Sequence, residues 1–296
     1  MAEKNIRPIR KAVFPVGGLG TRFLPATKSM PKEMLPVVDR PLIQYAVEEA
    51  RAAGIEEFLF VTGRGKTAIE DHFDQSEGLE KLLIERGKMS IVEDMRATIP
   101  SAGQVCYTRQ QEPKGLGHAV WCARHMIGDE PFAVLLADDL IQAKTPCLKQ
   151  MVDAYNTVGG NMVAVMEVER PHTKRYGIVA PGKAKGPLVE VTGLVEKPDP
   201  NKAPSTLAVV GRYIIQPSVL ERLSSTQTGE GGEIQLTDAL ASSIADGPFH
   251  GYRFEGTRFD CGDKVGFIGA NIAYALSRPD LSDGVAAYIK SLAGTY

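Results

Sequence analysis

The chain has 296 residues, of which 43% are hydrophobic and 24% are charged, as in a globular protein with a sizeable core. Its formal net charge of -2 provides no basic field for nucleic acid, and no apolar run is long enough to span a membrane. The four cysteines form no CxxC pair, and the N-terminus lacks the apolar segment of a signal peptide. We therefore expect a cytoplasmic protein with reduced thiols that binds neither nucleic acid nor membrane.

The first half of the chain alternates strand-like and helix-like segments. Its clearest helix is at 42–53, where apolar residues recur with helical spacing and Gly54 follows at the usual C-terminal position. Such alternation predicts a parallel sheet with helices on both faces. The predicted strands are 12–16, 58–62, 105–108 and 132–137, and the other predicted helices are 66–73, 78–86 and 117–126.

From about Asn161 the pattern changes to several strands in succession, joined by short turns rich in Gly and Pro, before helices return. No linker rich in Pro or Ser separates the two halves, so we predict one continuous core. The predicted strands are 162–168, 177–180, 188–195 and 207–215, and the predicted helices are 217–223, 233–245, 264–276 and 282–292.

A glycine cluster followed by cations comes directly after the first predicted strand. The stretch GGLGTRFLPATKSMPKEMLP (17–36) has the glycines and positive charges of a phosphate-binding loop, although glycines alone also occur in tight strand-to-helix turns. The dinucleotide fingerprint fails because Phe23 occupies its third glycine position. The Walker pattern fails because Phe60 stands where its first glycine belongs. This loop therefore belongs to neither of these two classes of phosphate-binding loop.

The stretch GGLGTRFLPATKSMPKEMLPV (17–37) resembles the signature of the nucleotide-sugar pyrophosphorylases, and it is similar to that of the bacterial UTP–glucose-1-phosphate uridylyltransferases. The resemblance implies a Rossmann-like nucleotidyltransferase fold of the α/β class. In that fold a mixed, mostly parallel sheet is flanked by helices and extended by a smaller β-rich sugar-binding subregion. Further matching blocks are VTGRGKTAIEDHFD (61–74), RQQEPKGLGHAVWCA (109–123), VLLADDL (134–140), RYGIV (175–179), LVEKP (194–198), VGRY (210–213), GGEIQLTDAL (231–240) and RFDCGDKVGF (258–267).

The resemblance also implies how the chain is organised. We expect a single nucleotidyltransferase domain over 1–296, with a nucleotide-binding part at about 10–160, a sugar-phosphate-binding part at about 161–263 and C-terminal helices at about 264–296. Members of the family assemble through their helical parts, so we expect a homodimer or homotetramer.

The implied reaction transfers a uridylyl group from UTP to glucose 1-phosphate, giving UDP-glucose and pyrophosphate. A phosphate monoester has a second pKa of about 6, so the sugar phosphate is already largely dianionic at neutral pH. It needs no general base, and the site is expected to lack a catalytic His. What remains is to bring two polyanions together and to neutralise the leaving group.

The predicted phosphate contacts lie in the first loop. Backbone N–H groups around Gly17, Gly18 and Gly20 suit a nucleotide, and Thr21 belongs to the same segment. By resemblance, Arg22 meets the departing phosphates and Lys32 is the cation near the α-phosphate.

The predicted metal site consists of two aspartates far apart in sequence. Asp138 follows the predicted strand 132–137, and carboxylates with substrate phosphates are typical ligands of Mg²⁺. The resemblance supplies Asp260 as its partner and Mg²⁺ as the cofactor. The neighbours Asp139 and Asp263 are the competing assignments.

The remaining predicted residues contact the base and the sugar. By resemblance, Gln110 and the turn at Gly115 read the uracil, although Gln111 is adjacent, and a structural hydrogen bond is favoured for His118. The same resemblance assigns four residues to the sugar phosphate: Gly177, Glu196, Lys197 and Gly211.

Four other functions are alternatives to this interpretation. A sister activity that makes dTDP-glucose from dTTP differs by one methyl group, which a pocket distinguishes only modestly. A non-catalytic nucleotide-sugar sensor predicts the loss of Lys32, Asp138 or Asp260, all of which are present. An NAD-dependent oxidoreductase is disfavoured by the failed dinucleotide fingerprint, and a purely structural protein by the many matched polar positions.

Overall fold

The protein is described by a computed structural model over residues 6–225 and 232–294. Within these ranges, nine strands form one sheet, and two two-stranded ribbons lie beside it. No helix in the described ranges is both long and apolar enough to cross a membrane. The four cysteines, all within these ranges, are free thiols, as the sequence predicts.

The large sheet has a parallel half and a mostly antiparallel half. Its strand order is β5-β4-β1-β6-β11-β8-β12-β10-β9, parallel from β5 to β6 and between β12 and β8, and antiparallel at the other neighbouring pairs. The strands are β1 (Lys11–Pro15), β2 (Pro36–Val37), β3 (Arg40–Pro41), β4 (Glu57–Thr62), β5 (Val105–Arg109), β6 (Phe132–Leu135), β7 (Asp139–Gln142), β8 (Asn161–Glu167), β9 (Gly177–Lys185), β10 (Leu188–Glu196), β11 (Leu207–Ile215), β12 (Phe249–Arg253) and β13 (Thr257–Asp260).

Helices cover both faces of this sheet, and two buried clusters of hydrophobic residues fill the space between helices and sheet. The helices are α1 (Leu42–Ala52), α2 (Thr67–His72), α3 (Glu77–Glu85), α4 (Met89–Thr98), α5 (Leu116–Cys122), α6 (Arg124–Ile127), α7 (Cys147–Val158), α8 (Ser218–Ser225), α9 (Leu236–Ser242), α10 (Lys264–Leu276) and α11 (Ser282–Ala293).

The α/β class and the mixed sheet flanked by helices are confirmed. The expectation of a mostly parallel sheet holds for the half from β5 to β6, whereas the second half is antiparallel apart from β12 beside β8. The whole sheet is therefore more evenly mixed than the sequence predicted. The physical reason is that β9 and β10 are joined by a tight turn, which only antiparallel strands allow.

Most predicted elements are present, and the differences are local. Helix α1 ends next to Gly54, whose φ of 90° is the left-handed conformation expected there. Strand β6 stops at Leu135, so Asp138 lies in the turn between β6 and β7. The predicted helix at 117–126 is two short helices, and the predicted helix at 233–245 contains α9 followed by a short 3-10 turn. The part of the GGEIQLTDAL block at residue 231 lies outside the described residues.

Candidate functional site

The glycine loop lies at the carboxyl edge of the parallel half of the sheet. Strands β1, β4 and β5 end there, and the Gln110 N–H donates to the Thr62 carbonyl at 2.8 Å. A Cβ on Gly17 would lie 3.1 Å from Gln110 Oε1, and a Cβ on Gly63 would lie 3.0 Å from the Gly17 carbonyl oxygen. Glycines at 17 and 63 thus bring the backbones of two strand ends together. Ligands of open α/β sheets bind at such an edge.

The loop then turns into a short 3-10 helix that carries Thr21 and Arg22. Gly20 begins this turn with φ 66° and ψ 29°, a left-handed conformation that disfavours other residues. The Thr27 hydroxyl donates to the Gly20 carbonyl at 2.7 Å and fixes the turn. The Arg22 side chain is exposed and reaches the Gly262 carbonyl at 3.4 Å, so it extends from the loop toward the segment after β13.

Lys32 and Asp138 form a short ion pair at the centre of the site. Lys32 Nζ lies 2.6 Å from Asp138 Oδ2, and both side chains are about three-quarters buried. Burial alone lowers the pKa of Lys32, but the Asp138 and Glu33 carboxylates outweigh it and raise that pKa. Burial raises the pKa of Asp138, but the nearby Lys32 ammonium outweighs it and lowers that pKa. Both groups are therefore charged at neutral pH.

Lys32 is held in place by its neighbour. Glu33 is almost fully buried and accepts a hydrogen bond from Lys66 Nζ at 2.8 Å. Lys66 immediately precedes helix α2, so this buried ion pair ties the Lys32 turn to a second element. The Lys32 ammonium consequently lies beside the glycine loop: a Cβ on Gly18 would be 4.0 Å from Lys32 Nζ.

The structure brings Asp138 and Asp260 together and gives their competitors other partners. A Cβ on Gly262 would lie 3.1 Å from Asp138 Oδ2 and 3.1 Å from Asp260 Oδ1, so the two carboxylates flank one point. Asp139 instead accepts hydrogen bonds from the Gly211 N–H at 2.7 Å and from Arg258 Nε at 2.6 Å. Asp263 accepts from two N–H groups in the first turn of α10 and acts as its N-cap.

The two carboxylates fit a divalent metal only together with a ligand. Within residues 6–225 and 232–294 no group of three or more His, Cys, Asp or Glu side chains could hold a metal ion. Two carboxylates are enough for Mg²⁺, which is usually bound by one or two carboxylates together with substrate phosphates and water. Asp138 and Asp260 therefore fit such an ion when a phosphate-bearing ligand supplies further oxygens.

Gln110 and Gly115 belong to one hydrogen-bonded turn. Gln110 Nε2 lies 3.1 Å from the Gly115 carbonyl oxygen and 3.0 Å from His118 Nδ1. Burial, followed by the charge of Lys114, lowers the pKa of His118, so this ring is neutral at pH 7. Both contacts use the amide nitrogen and leave Gln110 Oε1 facing the glycine loop, where it can accept a hydrogen bond from a base. His118 has the structural role that the sequence favoured.

Glycine is required at position 115 by the backbone conformation and by the close packing of residue 234. Its φ is 98°, and a Cβ there would lie 2.8 Å from the Ile234 carbonyl oxygen. The Ile234 N–H donates to the Lys114 carbonyl at 2.8 Å, and the Gly117 N–H donates to the Ile234 carbonyl at 2.9 Å. The turn that contains Gln110 and Gly115 is thus joined to the segment that leads into α9.

Glu196 and Lys197 lie at the end of β10, beside Gly177 at the start of β9. Glu196 Oε2 accepts a hydrogen bond from the Thr237 hydroxyl at 2.7 Å, and Glu196 Oε1 lies 3.2 Å from Lys197 Nζ. A Cβ on Gly177 would lie 3.3 Å from both Glu196 Oε2 and Thr237 Oγ1. Glycine at 177 therefore preserves the orientation of the Glu196 carboxylate.

Gly211 is glycine because strand β11 packs closely against the turn between β6 and β7. A Cβ at this buried position would lie 2.6 Å from Asp139 Oδ2 and 2.7 Å from the Leu136 side chain. Strand β11 therefore passes close to the turn that carries Asp138, and a contact between Gly211 and the sugar phosphate stays a prediction.

Sequence reasoning missed several polar residues of this cavity. Arg258 donates to Asp139 and to the Tyr176 hydroxyl at 3.1 Å, and its guanidinium lies 3.7 Å from Asp260 Oδ2. Arg175 lies 3.2 Å from Asp260 Oδ2, and Thr237 orients Glu196. Each of them lies within a matched block, but no signal in one sequence reveals contacts between blocks so far apart.

Two cavities meet at Asp138, Leu116 and Leu136. One, of about 460 Å³, is lined by Lys32 and by every residue predicted to bind the nucleotide. The other, of about 420 Å³, is lined by Arg22, Asp260 and every residue predicted to bind the sugar phosphate. The fourteen residues selected from sequence are thus brought together in two adjoining chambers that share a carboxylate.

The chain is similar over most of its length to proteins of known family. The family model described as Nucleotidyl transferase matches residues 11–276. The UTP--glucose-1-phosphate uridylyltransferase of Komagataeibacter xylinus is 56% identical over 260 residues, covering 88% of this chain and 92% of the relative. Among solved structures, UDP-glucose pyrophosphorylase complexed with UDP-glucose matches with a TM-score of 0.82 and 44% identity, covering 91% of this chain and 100% of that one. UTP-bound UGPase from Acinetobacter baumannii matches with a TM-score of 0.88 and 40% identity, covering 96% and 99%.

Proposed function

The chain belongs to the nucleotidyl transferase family, and on that premise we propose that it transfers a uridylyl group from UTP to glucose 1-phosphate. The products are UDP-glucose and pyrophosphate. The observation that carries the proposal is the meeting of the two cavities at Asp138, with the Lys32 ammonium 2.6 Å from its carboxylate. A nucleoside triphosphate in one chamber and a sugar phosphate in the other would place their reacting groups at this junction.

The chemistry needs no proton transfer. An oxygen of the sugar phosphate forms a bond to the α-phosphorus of UTP, and the bond between that phosphorus and the β-phosphate oxygen breaks with its electron pair on pyrophosphate. The attacking oxygen is already unprotonated at neutral pH. The neutral His118 is accordingly a structural residue, and the chain contributes positioning and positive charge.

The residues are proposed to divide this work as follows. Gly17, Gly18, Gly20 and Thr21 cradle the nucleotide, while Gln110 and Gly115 read the base. Lys32 neutralises charge on the α-phosphate, and the exposed Arg22 guanidinium contacts the departing pyrophosphate. Glu196 accepts hydrogen bonds from sugar hydroxyls, and Lys197 binds the sugar's phosphate. Gly177 and Gly211 line the same cavity, where Gly177 also keeps Glu196 in place.

Family members generally use a divalent metal, and we propose Mg²⁺ held by Asp138 and Asp260. When bound, such an ion polarises phosphate oxygens and offsets their negative charge. Asp138 and Asp260 flank one point, whereas Asp263 caps a helix and Asp139 accepts hydrogen bonds from the buried Arg258 and from the Gly211 N–H. The chain's contribution is to hold these two oxygens at the boundary between the chambers.

The competing functions are less favoured. Curated relatives at 48–56% identity are named for UTP, so the dTTP-dependent sister activity is not preferred. The sensor alternative conflicts with the convergence of Lys32, Asp138 and Asp260 on one junction. We further propose a cytoplasmic homodimer or homotetramer, and one domain with a nucleotide part at about 10–160, a sugar part at about 161–263 and helices at about 264–296.

The proposal is tested by following the α-phosphorus. UTP labelled at the α-phosphate is incubated with glucose 1-phosphate, Mg²⁺ and the protein, and the products are separated by chromatography. The expected result is that the label appears in UDP-glucose, and that Lys32→Ala loses this product while staying folded. Label that remains in UTP, or that appears as UMP, would contradict the proposal.

A further inference from the structure

Each of the two proposed metal-binding carboxylates already carries a cation from the chain. Asp138 is paired with Lys32 at 2.6 Å, and Asp260 is paired with Arg175 at 3.2 Å. A divalent ion at the point that these carboxylates flank would compete with both pairs. What Arg175 does when it is displaced from Asp260 is inferred from the proposed function, on which the following proposal rests.

Arg175 differs from the other arginine near Asp260. The Arg258 side chain is only 10% exposed and is fixed by Asp139 and the Tyr176 hydroxyl. The Arg175 side chain is 47% exposed; within the described parts of the chain Asp260 is its one hydrogen-bond partner, and its guanidinium lies 5.8 Å from the centre of the Tyr176 ring. A half-exposed ion pair is weak because water screens it. Arg175 can therefore leave Asp260 without disturbing the core.

Arg175 also has a suitable second destination. It ends a 3-10 segment, Arg170–Arg175, directly before Tyr176 and Gly177, and it lines the sugar-phosphate cavity with them. A guanidinium presents paired N–H groups that match the oxygens of a phosphate. On this side of Asp138, the cavity is proposed to receive the phosphate of glucose 1-phosphate.

We propose that Arg175 is a substrate-binding residue that is held on Asp260 until a divalent cation arrives. With a divalent ion held by Asp138 and Asp260, the Arg175 guanidinium would be freed from Asp260 and would bind the phosphates of the sugar nucleotide. Metal binding and phosphate binding would thus be coupled, because the metal would free the guanidinium that binds the phosphates. The alternative is a purely structural arginine that fastens the 170–175 segment to strand β13.

The first measurement is Mn²⁺ binding to the full-length protein without nucleotide, followed by electron paramagnetic resonance. Arg175→Gln removes the competing cation, so it is expected to bind Mn²⁺ roughly two- to fivefold more tightly than the wild type. Arg253→Gln is the matched control because Arg253 forms a similarly exposed pair with Glu167 at 3.4 Å, and it should leave Mn²⁺ affinity unchanged.

The second measurement is UDP-glucose binding by calorimetry, with and without saturating Mn²⁺. With Mn²⁺, Arg175→Gln should weaken binding at least about tenfold, as expected for lost charge-assisted hydrogen bonds. Without Mn²⁺ the same variant should lose little, because the wild-type guanidinium still occupies Asp260. Arg175→Lys should recover part of the Mn²⁺-dependent affinity, and thermal unfolding should confirm that all variants fold.

The proposal is established if Arg175→Gln binds Mn²⁺ more tightly and its loss of UDP-glucose affinity is larger with Mn²⁺ than without it. These results would show that Arg175 moves from Asp260 to the phosphates. Mn²⁺ affinity that is unchanged or weaker in Arg175→Gln would overturn it, as would an equal loss of UDP-glucose affinity with and without Mn²⁺. If the wild type itself binds no UDP-glucose, the proposed function fails. The Mn²⁺ comparison then decides by itself whether Arg175 competes for Asp260.

Discussion

Replacing Gly211 by alanine tests the packing that supports the site. The added Cβ would lie 2.6 Å from Asp139 Oδ2 and 2.7 Å from the Leu136 side chain, at a buried position in the middle of β11. Real Cβ atoms are essentially never found below 3.0 Å from such neighbours, so the strand or the turn must move. Overpacking of this kind costs about 1–3 kcal/mol.

The same movement weakens a hydrogen bond. The Gly211 N–H donates to Asp139 Oδ2 at 2.7 Å, and hydrogen bonds to charged groups contribute about 1.5–3 kcal/mol. With part of that contribution lost, we expect Gly211→Ala to destabilise the protein by about 3 kcal/mol. In a chain of this size, such a loss lowers Tm by roughly 6–12 °C.

The assay is urea and thermal unfolding, with Gly78→Ala as the control. Gly78 lies in helix α3, and a Cβ added there would have no atom within 4 Å, so alanine should be neutral or slightly stabilising. A Gly211→Ala variant within about 0.5 kcal/mol of the wild type would refute the reasoning, since surface substitutions typically fall in that range. Because Asp139 also holds Arg258, a raised KM for glucose 1-phosphate should accompany the loss of stability.

Three further predictions concern the junction of the two cavities. Lys32→Ala should lower kcat at least about 100-fold with an unchanged circular dichroism spectrum, because a preorganised charge is lost; near-normal turnover would remove Lys32 from the mechanism. Asp138→Asn and Asp260→Asn should each raise the Mg²⁺ concentration needed for half-maximal activity, and a wild-type Mg²⁺ response in either would show that the two-aspartate site is wrong. Burial, together with the nearby Asp138 carboxylate, raises the pKa of Cys261 to about 12. This thiol should therefore resist iodoacetamide at about pH 8 until urea is added, as mass spectrometry can show. Rapid labelling of the native protein would contradict this expectation.

Sequence patterns predicted elements whose signal is local. Helix α1 carries its own apolar stripe and its terminal glycine, and the buried strand β4 is a short apolar run between turns. Helix α4 was not predicted, because its buried face consists of a single residue, Val92. Strand β13 was also missed: it has four residues, and it is a strand because it pairs with β7, more than 100 residues earlier.

In the site, too, local motifs identified residues, whereas the contacts between distant segments were not predicted. Motifs placed Lys32 and Asp138 in their blocks, but the 2.6 Å contact between them spans 106 positions in sequence. The role of Asp139 is set by Arg258 and by the Gly211 N–H, both of which arrive from other strands. The Tyr176 hydroxyl accepts a hydrogen bond from Arg258 inside the sugar-phosphate cavity, a contact between two distant blocks of the sequence. Such contacts depend on the topology of the sheet, which one sequence does not specify.

The most direct test of the central claim is pyrophosphate release with glucose 1-phosphate and Mg²⁺, varying the triphosphate among UTP, dTTP, ATP, CTP and GTP. The account predicts strong release with UTP and much weaker release with the other four. Release that is strongest with dTTP would move the protein to the sister activity with the same site. No release with any triphosphate would contradict the assignment of the glycine loop as a cradle that helps to expel pyrophosphate.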